Sequence, residues 1–79
     1  MTAKLTKDEL FLCTLAKVVK KDTRKSVSRY EIGQMIHSND KSVDNTVQIL
    51  VKTHFVKRVG DINICITPQG LSLVEMLGH

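Results

Sequence analysis

Aromatic side chains are scarce in this sequence: one Tyr, two Phe and no Trp, 4% of 79 residues. The interior therefore has to be filled mainly by Leu, Ile and Val. Cysteine occurs twice, at Cys13 and Cys65, far apart, in apolar surroundings and without metal-ligand spacing. That rules against a disulfide scaffold and for buried free thiols. No run approaches the roughly 20 apolar residues that a membrane-spanning helix requires. The opening Met1-Thr2-Ala3-Lys4-Leu5 leads straight into a helical pattern and lacks the apolar stretch of a signal peptide, so a cytoplasmic protein is expected. Chemistry-bearing sets are missing too. His37, His54 and His79 are scattered, no glycine-rich phosphate loop occurs, and no Ser-His-Asp arrangement is visible. These absences predict a protein that is not an enzyme and carries neither metal nor cofactor.

What is present fits one small globular domain over residues 1–79, with 42% apolar and 25% charged residues. A chain this short buries a modest share of its surface, which leaves room for stabilisation by a second subunit. The net charge of +4 is unevenly spread. Between residues 17 and 29, Lys17, Lys20, Lys21, Arg24, Lys25 and Arg29 are opposed by Asp22 alone. Such a concentration attracts a polyanion, unless it is only a solvated face.

Helix signals punctuate the chain. Thr6 with Glu9 makes a capping box, and Leu5 with Leu10 a matching hydrophobic staple. Leu10 or Phe11, then Thr14, Leu15, Val18 and Val19, recur at helical spacing. Ser28 with Glu31 is a second box, opening a short helix with Ile32, Met35 and Ile36 inward; Gly33 there permits a close helix contact. Residues 22–27 read as a connection, with Val27 as an anchor. Asn39 or Asp40 caps a third helix whose buried stripe is Val43, Val47, Leu50 and Val51. The period then changes. Residues 55–59 and 62–66 flank Gly60-Asp61, predicting a β-hairpin with a two-residue type II′ turn and with Ile62, Ile64 and Ile66 on one face. Thr67-Pro68 caps a last helix carrying Leu71, Val74 and Leu77 inward. The predicted helices cover about 7–21, 29–37, 41–53 and 68–77, and the hairpin about 55–66.

A short helix, a polar turn and a longer helix with small polar residues at its start form a helix-turn-helix pattern. The run Ser42-Val43-Asp44-Asn45, Leu50, then Phe55-Val56-Lys57-Arg58, followed by Ile66-Thr67-Pro68-Gln69-Gly70-Leu71, resembles the winged helix-turn-helix domain of small prokaryotic transcriptional regulators of the MarR and PadR types. The resemblance implies an α+β fold, with a three-helix core, a short β-hairpin wing and a C-terminal helix. It also implies binding to double-stranded DNA. Three departures stand out: His54 where these domains usually have Gly, Asp61 at a very short wing tip, and no long flanking dimerisation helices or effector domain.

On that reading the third helix enters the major groove and Ser42, Asp44, Asn45 and Gln48 face base edges, the two amides being suited to adenine. Ser42 and Asp44 also have a local role open to them, in stabilising the helix start. Arg24, Lys25, Arg29, Lys41, Lys52, Lys57 and Arg58 are the expected phosphate contacts. Tyr30 either adds a hydroxyl to that set or covers the helix junction. Few base contacts per chain imply a two-fold homodimer, with Phe11, Leu12, Leu73 and Met76 as its apolar contact or, alternatively, as further core. The competing expectation is a winged helix used for protein–protein assembly, favoured by Asp61 and by Asp40 and Asp44 at the start of the third helix.

Overall fold

The computed structural model of the protein describes residues 5–78, so the N-terminal lead-in and His79 lie outside the described residues. Four helices and a three-stranded antiparallel sheet follow the order α1 (Lys7–Val18), β1 (Val27–Ser28), α2 (Arg29–Met35), α3 (Asp40–Lys52), β2 (Val56–Val59), β3 (Asn63–Ile66) and α4 (Pro68–Met76). The sheet order is β1-β3-β2.

Local chemistry sets most of these boundaries. Thr6 and Glu9 form the full capping box of α1, the Glu9 N–H donating to Thr6 Oγ1 at 3.2 Å and the Thr6 N–H to Glu9 Oε1 at 2.8 Å. Asn39 caps α3 by accepting from the Ser42 N–H at 2.8 Å. Thr67 caps α4 by accepting from the Gly70 N–H at 3.0 Å, with Pro68 in the first turn where its missing N–H costs nothing. The expected Ser28–Glu31 box does not form: Ser28 is a simple N-cap whose hydroxyl accepts from the Tyr30 N–H.

The helices end differently from the expectation. α1 stops at Val18, not Lys21, because Lys20 and Lys21 both adopt left-handed backbone, at φ 54° and 60°. Their N–H groups close the helix end, Lys20 onto the Lys17 carbonyl and Lys21 onto that of Ala16. His37 (φ 58°) and His54 (φ 64°) terminate α2 and α3 in the same conformation. At His54, as at His37, a histidine thus bears the steric cost of a left-handed helix end.

Around the sheet, Phe11, Leu12, Leu15 and Val19 of the first helical segment meet Ile32, Val43, Val47, Leu50, Val56, Ile64, Ile66 and Val74, all essentially buried. Phe11 takes the inward place and Leu10 is exposed. Met35, expected inward, is also exposed, while Ile32 is buried and Ile36 packs against the core. Gly33 lies against α3, where a Cβ would overlap the Val43 side chain, so the glycine allows the two helices to approach. A Cβ on Gly70 would likewise run into the Phe55 carbonyl oxygen.

Two features of the sheet escape the sequence reading. Val27 does reach the core, but within a third strand, Val27 pairing with Ile64 and Ser28 with Asn63. The hairpin register, Val59 opposite Asn63 and Arg58 opposite Ile64, encloses Gly60, Asp61 and Ile62 in a three-residue turn instead of two. Ile62 therefore leaves the ladder and stands exposed, while Ile64 and Ile66 are buried.

Candidate nucleic-acid interface

One face of α3 is locked into the core by Val43, Thr46, Val47 and Leu50. The opposite face carries Lys41, Asn45, Gln48 and Lys52, all exposed and spaced four, three and four residues apart. That spacing aligns them in a single stripe along a helix of 13 residues, about 18 Å from end to end. Two amides thus lie between two ammonium groups.

Ser42 and Asp44 flank this stripe and are already engaged. The Lys7 ammonium donates to the Ser42 hydroxyl, bringing the start of α1 beside the start of α3. Lys7 was not singled out from sequence, because its partner lies 35 residues away. On the other flank, Asp44 Oδ1 accepts from the Tyr30 hydroxyl at 2.9 Å and pairs with Arg29 Nη1 at 3.6 Å. This hydrogen bond is the main reason the Tyr30 phenol is held above its ordinary value. Tyr30 is half-buried at the junction of α2 and α3, and its hydroxyl serves the protein.

Arg29 requires correction. Expected as an exposed phosphate contact, it is 8% exposed. Its Nε donates to the Ile62 carbonyl and its Nη2 to that of Asp61, each at 3.1 Å. The Arg29 backbone N–H also donates to Ile62 O. A guanidinium fork with these partners ties the start of α2 to the hairpin turn and to α3, leaving no free edge for an external anion.

The other expected cations are exposed but do not form one patch. Lys57 and Arg58 lie on the edge strand β2 and, with Val51, His54, Val56, Thr67 and Gln69, line a cavity of about 330 Å³ near the end of α3. Arg24 pairs with Asp22, whose carboxyl is lowered chiefly by the Arg24 N–H that it accepts. Lys25 is exposed in the same connection. Lys17, Lys20 and Lys21 gather beside Val74 of α4. They sit at the opposite end of α1 from Lys7 and Ser42, about 16 Å along the helix. The Lys17, Lys20 and Lys21 group and the α3 stripe are therefore distinct surfaces.

Of the expected dimer contacts, Phe11 and Leu12 are fully buried within this chain, because α1 offers them to the sheet and α4; neither is available to a second copy. Leu73 is half-buried against the core, and Met76 is 83% exposed. Both Cys13 and Cys65 are buried free thiols. Among the described residues no three His, Cys, Asp or Glu side chains are grouped to hold a metal, and no helix is long and apolar enough to cross a membrane. No protein-family model matches the chain, and no curated protein matches it.

Proposed function

We propose that this chain is a winged-helix domain that binds double-stranded DNA as a small transcriptional regulator, laying α3 in the major groove. The stripe Lys41-Asn45-Gln48-Lys52 carries this reading. Asn45 and Gln48 have the donor–acceptor pairs that read adenine in the major groove. Lys41 and Lys52, at either end, meet the phosphates that border it. Lys57 and Arg58 add contacts beyond the helix end. Ser42 and Asp44 are secondary, their side chains being shared with Lys7, Tyr30 and Arg29. The role is occupancy of a site rather than catalysis. A two-fold dimer on a pseudo-palindrome would double the few base contacts of one copy, with Met76 the exposed apolar group of α4 available to it.

A second reading, protein–protein assembly, is favoured by the hairpin end, where Val59 and Ile62 expose apolar surface on either side of Asp61. Binding to random and site-containing duplexes as a function of salt separates the two. Affinity that falls steeply with salt, with site preference lost in the Asn45→Ala/Gln48→Ala variant, supports DNA binding through α3. A folded protein that ignores duplex DNA at low salt leaves the assembly reading.

A further inference from the structure

Lys7 is paired with no carboxylate among the described residues, yet it has a defined partner. The ion pairs there are Arg24 with Asp22 and Arg29 with Asp44, and the nearby Glu9 carboxylate accepts the Thr6 N–H. A cation in the first turn of α1 also opposes the helix dipole, so α1 itself gives no reason for it. What engages the ammonium is the Ser42 hydroxyl, 35 residues onward in the first turn of α3. Ser42 is in turn released from helix capping, because Asn39 accepts the Ser42 N–H.

This contact decides what the start of α3 can offer a base. An ammonium group has only donors and no acceptor. By donating to Ser42 Oγ it occupies a lone pair of the hydroxyl and polarises the O–H, which is left to donate outward. The carboxylates of Asp40 and Asp44, one turn apart, lie on the other flank of the stripe, on the side of Tyr30. The edge formed by Lys7 and Ser42, next to Lys41 and Asn45, therefore presents donors.

We propose that Lys7 and Ser42 together read guanine, donating to its N7 and O6 in the major groove beside the adenine that Asn45 contacts. The inference rests on α3 lying in that groove and adds a base to the reading. Guanine shows acceptors there and no donor, whereas the amino groups of adenine and cytosine would set donor against donor. Thymine offers O4 alone, beside a methyl group. Lys7 thus acts both directly and through Ser42, by fixing which way that hydroxyl donates.

Selection of the full chain on random duplexes, followed by binding to the enriched sequence with its guanine replaced, tests this. An enriched site is expected to set a guanine next to the adenine that depends on Asn45 and Gln48. 7-Deazaguanine at that position lacks the N7 acceptor and weakens the parent chain about tenfold, while inosine keeps N7 and O6 and binds like guanine. Lys7→Met and Ser42→Ala each abolish this discrimination and retain the preference for adenine, and the double variant is no worse than either alone. Lys7 is exposed, so its variant retains the fold, and the base analogues need no variant. Failure to enrich any sequence overturns the DNA reading and this inference with it. An adenine preference without guanine, or a guanine preference indifferent to Lys7→Met, overturns this inference alone. So does a uniform loss of affinity for all duplexes in Lys7→Met with guanine still preferred, which makes Lys7 a phosphate contact.

Discussion

The Tyr30 hydroxyl donates to Asp44 Oδ1 at 2.9 Å, the same oxygen that Arg29 Nη1 approaches at 3.6 Å. A phenol and a guanidinium from adjacent residues of α2 thus share one carboxylate oxygen of α3. Tyr30 is the chain's one tyrosine and there is no tryptophan, so tyrosinate absorbance reports this contact alone. Its midpoint is expected above the ordinary value of 10.0, because the bond to Asp44 favours the protonated phenol. A group whose folded pKa is raised contributes stability below its unfolded pKa and loses it as pH climbs through the folded one. Stability should therefore decline on the alkaline side, and Asp44→Asn should return the absorbance midpoint toward its ordinary value. A midpoint unmoved by that substitution would falsify the contact.

Arg29→Ala leaves the carbonyls of Asp61 and Ile62 without their guanidinium donor and removes a packed side chain. A loss of about 2–3 kcal/mol is expected by urea denaturation. Asp44→Asn, which weakens a half-exposed ion pair and an exposed hydrogen bond from Tyr30, should cost about 0–1 kcal/mol. Equal costs would show that Arg29 acts through Asp44 rather than through the hairpin turn.

Glycine has opposite consequences at different positions. His54 is left-handed at φ 64°, and His54→Gly should stabilise the domain by about 0.5–1 kcal/mol, strain relief exceeding the added chain entropy. Gly33→Ala places a methyl group against Val43 and should cost about 1–3 kcal/mol. Thermal unfolding of the two variants tests both signs.

Asp22 accepts the Arg24 N–H and has a lowered pKa. Its contribution is present above its unfolded pKa and disappears as pH falls through the folded value. Asp22→Asn should flatten the acid limb of the stability profile, while carboxyl-carbon NMR of the parent shows the low titration directly. An Asp22 midpoint at or above its ordinary value contradicts the assignment.

Salt dependence separates the surfaces in the proposed DNA complex. Lys41→Gln or Lys52→Gln should reduce the slope of log affinity against log salt by about 0.9 each. Lys20→Gln/Lys21→Gln, at the other end of α1, should leave it nearly unchanged. A slope that drops with the Lys20 and Lys21 change alone would shift the anion-binding surface away from α3.

Thr6, Asn39 and Thr67 could be read from sequence because each caps a helix through the residue three positions on. The buried stripe of α3, with Val43, Val47 and Leu50, was equally legible from its spacing. Arg29 was misread because a cation at a helix start looks solvent-facing until the carbonyls 32 and 33 residues onward are placed beside it. The same long-range contact accounts for Ile62: held by Arg29, it joins the turn and displaces the register that Gly60-Asp61 alone suggests. β1 spans only two residues and has no periodicity to detect; it exists because β3 offers Val27 and Ser28 a ladder.

The guanidinium of Arg29 also bears on how this molecule meets others. Because one side chain fastens the hairpin turn to α2 and faces Asp44 of α3, the hairpin cannot swing independently of the helices. Ordering that a loose hairpin would undergo on association is completed during folding. A partner that touches both α3 and the hairpin thus meets a preorganised surface, whose affinity is not reduced by a conformational search.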